Sequence, residues 1–359
     1  MDTSIKSNLK QKVLFFVNAY SGGAELMTLN IAGFLDPERY EVIFYVIGKD
    51  LGRIAKFIPA DKTVHLIKVK YFKDFLTTKI FFVLLKEKPQ IAFSSLMPIN
   101  IRLCFASILF FRIKVIIRAN NYLHTQSSIQ KIRLFLSYHF ANKLIVQTDE
   151  MNSEHVKILR LNSEKVVTLA NPVNTEKIET KLTKATSLFN KSVINYTFVG
   201  RISKVKGLDT LLSAFHQVIK KKPNSILHIV GDIEGTFSPY YLELREQASS
   251  LGIQNSIIFH GFSTNPYVYM KYADCFILPS RNEGLPNVII ESLYLGTPVV
   301  ATNSVPVINR LINNGIDGYV VDVDDIDGLA KSMILGPKLG RIKSTYSSAT
   351  KKDFENLFS

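Results

Sequence analysis

Cysteine is scarce and tryptophan absent: among 359 residues there are two cysteines, Cys104 and Cys275. Two thiols make no disulfide framework and suit a reducing cytoplasm. No uncharged apolar run approaches the roughly 18 to 20 residues a membrane span needs. The most apolar stretch, Leu103 to Phe111, is nine residues long and is bracketed by Arg102 and Arg112. Near the start, the five apolar residues Val13-Leu-Phe-Phe-Val17 meet Asn18 and a glycine loop at once, which describes a buried strand rather than a leader. The seven histidines show no H-x-x-H spacing and no cysteine cluster, so a zinc site is not expected.

Acidic residues are missing from Lys88 to Thr148, a stretch holding eight basic ones. Residues 1–180 carry 25 Lys/Arg against 15 Asp/Glu and account for ten of the net fourteen positive charges. Such a face needs or tolerates an anionic partner: nucleic acid, a phosphorylated substrate or an anionic membrane. A solvated basic face with no partner is the alternative.

What is present is globular. With 47% hydrophobic and 21% charged residues, the length suits two domains of roughly 150 to 200 residues. Short β-rich runs alternate with helical patterns. Strands are expected near Lys12–Asn18, Tyr40–Ile47, Thr63–Ile67, Gln90–Ser95, Lys114–Arg118, Lys143–Gln147 and Lys165–Leu169. In the second half they are expected near Val193–Val199, Ser225–Val230, Ser256–His260, Asp274–Leu278, Pro298–Ala301 and Gly318–Val321. Several are continuously apolar, as strands buried on both faces of a parallel sheet are. Ser238-Pro239 and Asn265-Pro266 open helices, and Gly252 closes the first.

This alternation predicts an α/β fold of two doubly wound domains with parallel sheets, whose ligands sit at the carboxyl ends of the strands. The polar stretch from Asn171 to Lys191 reads as a linker. The expected domains are 1–175 and 176–335, with 336–359 a tail for which packing back on the first domain is one option. The cleft between the domains is the default site.

The segment Pro279-Ser-Arg-Asn-Glu-Gly-Leu-Pro-Asn-Val-Ile-Ile-Glu-Ser-Leu-Tyr-Leu-Gly-Thr-Pro-Val-Val-Ala-Thr302 carries the sharpest pattern. A strand leads into a tight loop, Pro286 stands where a first helical residue belongs, and Gly296 ends the helix. Glu283 then precedes the helix and Glu291 lies within it, roughly 8 Å or more along the axis. The two carboxylates are too far apart to act on one atom. They suit two ends of an elongated ligand, with the helix N-terminus holding an anion between them.

Glu283-Gly-Leu-Pro followed by Glu291, and Gly296-Thr-Pro-Val-Val-Ala-Thr302, resemble the signature of retaining glycosyltransferases of family 4 (glycosyl transferases group 1), which have the GT-B fold. The resemblance implies that Glu283 and the segment Gly284, Leu285, Pro286 and Asn287 meet the transferred sugar, and that Glu291 holds the donor ribose. It further implies that Arg201 and Lys206, in Gly200-Arg-Ile-Ser-Lys-Val-Lys-Gly207, contact the donor diphosphate. That role suits their charge, because a leaving diphosphate needs preorganised cations. Gly261 and Phe262 are included among the expected donor contacts.

Ser21-Gly22-Gly23-Ala24-Glu25 follows the first strand and lacks the G-x-G-x-x-G spacing of a dinucleotide site. A plain tight turn would read the same way. In the family such a loop approaches donor phosphates and acceptor, which the resemblance carries to Gly22, Gly23 and, more loosely, Glu25. Where many members have a histidine in the first domain, this chain has Ile116-Ile-Arg-Ala-Asn-Asn-Tyr-Leu-His124. Asn120 stands at the histidine position, and although an asparagine cannot take a proton at neutral pH, it and Arg118 are expected to line the site. His124 reads equally well as an ordinary loop residue.

The D-x-D string at a strand end, Asp322-Val-Asp324, reads as a solvated loop and helix cap. With Arg201 and Lys206 present, no metal and no cofactor is expected. The resemblance implies a nucleoside diphosphate sugar donor, UDP- or GDP-linked, and a glycan or lipid-linked acceptor in capsule, exopolysaccharide or lipopolysaccharide synthesis. The apolar stretches 101–115 and 128–140, spiked with basic residues, add an expected peripheral contact with the inner face of an anionic membrane, or else a core with solvated charges. The rival readings are a nucleotide-sugar epimerase on the same fold and a basic nucleic-acid binder. For the latter neither a recognition helix nor a basic-aromatic sheet face is legible.

Overall fold

The computed structural model describes residues 10–20, 22–69, 75–183, 186–187, 189–232, 239–343 and 350–359. It divides into two units, Met1–Pro172 with Ser348–Ser359, and Val173–Ser347.

The first unit runs β1 (Gln11–Asn18), α1 (Gly23–Phe34), β2 (Tyr40–Gly48), β3 (Thr63–Lys68), α2 (Leu76–Glu87), β4 (Ile91–Ser94), α3 (Met97–Ala106), β5 (Lys114–Arg118), α4 (Ser128–Tyr138), β6 (Lys143–Val146), α5 (Asp149–Leu159) and β7 (Val166–Thr168). Its described strands are parallel in the order β3-β2-β1-β4-β5-β6-β7. Val13 to Val17 are buried throughout, because helices cover both faces of a central parallel strand. The winding reverses between β1 and β4, and at such a switch point the loops diverge and leave a crevice beyond the strand ends.

The second unit begins with α6 (Thr175–Leu182) and continues β8 (Ile194–Val199), α7 (Leu208–Lys221), β9 (Ser225–Val230), α8 (Pro239–Ser250), β10 (Ile257–Gly261), α9 (Tyr267–Tyr272), β11 (Cys275–Leu278), α10 (Asn287–Tyr294), β12 (Val299–Thr302), α11 (Ile308–Leu311), β13 (Gly318–Val321) and α12 (Ile326–Leu335). Its strands are again parallel, ordered β10-β9-β8-β11-β12-β13, with the reversal between β8 and β11. Asn195 and Thr197 are buried on one face of β8, while Tyr196 and Phe198 fill the other. All thirteen expected strands are present among the described residues, most within one residue of the expected ends.

The expected linker needs correction. Residues 175–182 form α6, capped by the Asn174 side chain, with Ile178 and Leu182 buried one turn apart. The tail also divides. Gly336 lies against Cys275 Sγ and Val300, so this segment belongs to the second unit. After it, α13 (Lys351–Phe358) packs on α1 in the first unit. There Phe358 meets Phe15 and Phe93 at ring distances of 5.9 and 5.8 Å, and Phe354 meets Phe34. Both cysteines are free and buried, and burial pushes the Cys104 thiol up to about 12.

Candidate active site

In the second unit the loops that follow β8 and β11 are joined at the switch point. After β8, residues Lys204–Lys206 form a 3-10 turn that ends at Gly207 with φ +64°. A Cβ at Gly207 would stand 2.1 Å from the Pro279 carbonyl oxygen, so only glycine lets the two loops approach this closely. The Arg281 amide donates to the Val205 carbonyl at 2.8 Å. Lys206 Nζ then reaches Glu283 Oε1 at 2.5 Å, and Ser280 Oγ donates to the same oxygen at 2.6 Å. The pair is shielded, with side-chain exposures of 18% and 11%. Arg201, at the mouth of the same loop, is exposed, and among the described residues its guanidinium has no hydrogen bond or ion pair.

Arg281 holds this arrangement from the outside. Its guanidinium donates to both Asp209 carboxylate oxygens at 2.9 and 2.7 Å, to Asp324 at 2.9 and 3.1 Å, and to the Lys204 carbonyl at 2.6 Å. Such a planar fork fixes two carboxylates in register. Burial pushes the Asp209 carboxyl up, but hydrogen bonds from Arg281 and Tyr240 outweigh it and hold it below the ordinary carboxylate range. The Arg281 bond, aided by Thr210, lowers Asp324 likewise. Asp324 is half-exposed in the loop after β13, as a solvated loop residue should be, and is also tied to Arg281. Asp325 is the residue that caps α12, while Asp324, at φ 61°, accepts from Arg281 and Thr210.

The helix with the second glutamate begins at Asn287. Pro286 is its extended N-cap rather than its first residue, and the left-handed Gly296 follows its end. Leu285 and Pro286 are buried, while Gly284, Asn287 and Glu291 are half-buried. Desolvation pushes the Glu291 carboxyl up to about 7, partly offset by the Lys177 ammonium from α6. The negative charge of Glu291 in turn helps burial raise the Tyr267 hydroxyl. Glu283 and Glu291 thus have different partners, Lys206 for one and Lys177 for the other. Gly261 ends β10 at φ 69°, and Phe262 beyond it is 44% exposed.

In the first unit the polar residues gather beyond β1, β4, β5 and β6. Gly22 caps α1, and a Cβ there would come within 2.8 Å of Glu25 Oε2, because the buried Glu25 folds back over the helix start. Space around Gly23 is open, and Ser21 lies outside the described residues. Asn120 is held on three sides: its amide donates to the Ser95 carbonyl, and its Oδ1 accepts from Arg118 at 2.5 Å and Gln147 at 2.9 Å. Arg118 is 1% exposed and also donates to Asn171, while its Nε has no hydrogen-bond partner among the described residues. Burial without a carboxylate partner pulls its guanidinium down to about 9. Arg118, expected to line the site, is buried, and its bond to Asn120 orients that side chain. His124 is exposed and pairs with Glu154, Nδ1 to Oε1 at 2.6 Å.

Residues 179–339, nearly the whole second unit, match the family described as glycosyl transferases group 1. An uncharacterized glycosyltransferase of Haemophilus influenzae is 26% identical over 343 residues, covering 90% of each chain. The Campylobacter jejuni N-acetylgalactosamine-N,N'-diacetylbacillosaminyl-diphospho-undecaprenol 4-alpha-N-acetylgalactosaminyltransferase is 26% identical over 234 residues, covering 64% of this chain and 61% of that protein. Among solved structures, Anabaena Alr3699/HepE in complex with UDP and glucose superposes with a TM-score of 0.76 at 17% identity, over 97% of this chain and 98% of that one. Residues 179–339 are thus a glycosyl transferases group 1 domain, and the relatives that match the chain are named glycosyltransferases. The chain's two parallel sheets are those of the GT-B fold.

Several parts of this glycosyltransferase were not legible in its motifs. Ser280 sits inside the quoted motif, yet nothing in the pattern marks it as a partner of Glu283. Lys177 lies on α6, whose polar sequence reads as a linker. Arg281 and Asp209 are joined across 72 residues of sequence, and a strand-end arginine beside a helix-opening aspartate was the only available signal. No helix is long and apolar enough to cross a membrane, and no group of three metal-ligating side chains occurs, both among the described residues.

Proposed function

We propose that this glycosyltransferase moves a sugar, with retention, from a UDP- or GDP-linked donor to a hydroxyl of a lipid-linked glycan during synthesis of a bacterial surface polysaccharide. The observation that carries this reading is the junction at the β8/β11 switch point, where Lys206 and Glu283 meet at 2.5 Å beside the exposed Arg201. Arg201 and Lys206 take the diphosphate. Lys206 has three donors, so one can stay on Glu283 while another meets a phosphate oxygen. Glu283, with the amides of Gly284 and Leu285 at the start of α10, orients the sugar. Glu291 accepts from the ribose hydroxyls, and the exposed Phe262 ring next to Gly261 offers a face to the base. Asn120, oriented by Arg118, serves a sugar or acceptor hydroxyl, and Gly22 and Gly23 leave room for backbone approach.

In the reaction the bond from the anomeric carbon to the β-phosphate oxygen breaks, and the acceptor oxygen bonds the same carbon on the same face. The acceptor proton passes to the departing phosphate oxygen, which dispenses with a protein base at Asn120. Positive charge from Arg201 and Lys206 stabilises the leaving group without a metal. Support for the donor comes from the UDP and glucose held by the Anabaena neighbour, and for the acceptor from the diphospho-undecaprenol acceptor named for the Campylobacter relative.

The test is a thermal-shift screen of nucleotide sugars followed by transfer assays with the stabilising donor, with and without chelator. A bound donor raises the melting temperature with its concentration. A product of retained anomeric configuration, formed equally well with chelator, is expected. Interconversion of a nucleotide sugar with no acceptor present would establish the epimerase instead.

A further inference from the structure

The first unit carries an apolar face that its own fold leaves uncovered. On α2, Phe82 and Leu85 are 59% and 48% exposed; in the turn after α3, Leu109 and Phe111 are 69% and 94% exposed; on α4, Ile132 and Leu136 are 59% and 54% exposed. These elements form one continuous side of the unit. Helix α2 packs on α3 and α3 on α4, the Phe81 ring meets Phe110 at 5.2 Å, and Phe105 meets Phe140 at 6.3 Å. Helix α4 turns Leu134, Ser137 and Tyr138 inward, and its outward side is apolar, with Arg133 among the aliphatic residues. Arg112 follows Phe111 and is exposed, as is Lys86 on α2.

We propose that this face docks on an anionic lipid bilayer. Charge decides the occupant. Lys86, Arg112 and Arg133 are exposed on this face and no acidic residue occurs from Lys88 to Thr148, so two copies of the chain brought together on it would set like charges against each other. An anionic surface complements it. The apolar side chains project singly from three separate elements, which suits insertion between lipid tails, while neighbouring arginines and lysines reach headgroup phosphates. The inference is independent of the transfer reaction.

The experiment is cosedimentation of the full chain with vesicles of phosphatidylcholine alone or mixed with phosphatidylglycerol, with no sugar present. The variants are Leu109→Ser with Phe111→Ser, and Arg112→Gln with Arg133→Gln. All four positions are exposed, so melting temperatures should stay at the wild-type value. The wild type should sediment with the anionic vesicles and not with the neutral ones. The arginine pair should lose roughly twentyfold in partitioning, the product of two surface charges. The apolar pair should lose about tenfold or more. Wild-type protein left in the supernatant, variants that partition like wild type, or a wild-type dimer that only the apolar variant dissociates would each overturn the proposal.

Discussion

Lys206 Nζ stands 2.5 Å from Glu283 Oε1, and this one contact joins the loop after β8 to the loop after β11. Because both side chains are mostly shielded, the pair is more than a surface bridge. Glu283→Gln keeps the shape but leaves an ammonium without its counter-charge, so stability should fall by about 2 to 4 kcal/mol. Adding Lys206→Met should recover part of that loss without restoring transfer, since under the proposed function the sugar and the diphosphate each lose a contact. Thermal denaturation and transfer rates on both variants check this. A double variant no more stable than the single one would show that the pair contributes nothing as a pair.

Arg201 should behave in the opposite way. Its guanidinium has no partner among the described residues, so Arg201→Ala should leave stability within about 0.5 kcal/mol of wild type. Turnover should nonetheless fall by the equivalent of roughly 2 to 4 kcal/mol, because its interaction strengthens as negative charge develops on the departing diphosphate. Comparing kcat with KM distinguishes this from simple donor binding. An unchanged kcat would remove Arg201 from the reaction.

Glu291 gives a pH signature. Its carboxyl is raised to about 7 by burial, above its unfolded value, so the folded state holds a proton that the unfolded chain has already released. Stability from this group is therefore greatest below the unfolded value and is lost as pH rises toward and through 7. Glu291→Gln should gain in melting temperature relative to wild type as pH increases across that window. Donor binding should run the other way, since only the ionised carboxylate accepts from two ribose hydroxyls. Wild-type affinity for the nucleoside diphosphate should tighten about tenfold between about pH 6 and about pH 8, and calorimetry should find that dependence missing in Glu291→Gln.

Much of this was written in the sequence, and the exceptions have a common cause. The strands are legible because strands such as β1 and β5 are short apolar runs with both faces covered, a pattern that depends on neighbours only in kind. The Glu283–Glu291 segment is legible because its glycines and prolines dictate the loop locally. Helix α6 is not, because among its lysines, glutamates and threonines only Ile178 and Leu182 are buried. Asp324 is a half-exposed loop residue, as its sequence suggests, but its tie to Arg281, 43 residues earlier, has no local signal. Arg118 ends an apolar strand and so resembles a residue emerging into a cleft. Its guanidinium turns inward to Asn171, 53 residues further on, and no local pattern records that. Long-range polar pairing is the part that sequence periodicity does not encode.

Gly207 tests whether the junction acts as one piece. At φ +64° and with the Pro279 carbonyl oxygen 2.1 Å from where a Cβ would stand, Gly207→Ala is both strained and obstructed by backbone. The strain alone costs about 1 kcal/mol or more, and the obstruction can be relieved only by moving one loop away from the other. Separation would lengthen the Lys206–Glu283 contact and pull Val205 off the Arg281 amide, while the Arg281 fork on Asp209 and Asp324 resists it. Gly207→Ala should therefore slow transfer at least tenfold although no atom of residue 207 is assigned a contact with the donor. Arg281→Lys, which gives up the fork but keeps the charge, should slow transfer further when added to Gly207→Ala by less than the product of the two single effects, because both act on the same spacing. Fully multiplicative losses would mean that the two residues support the site separately.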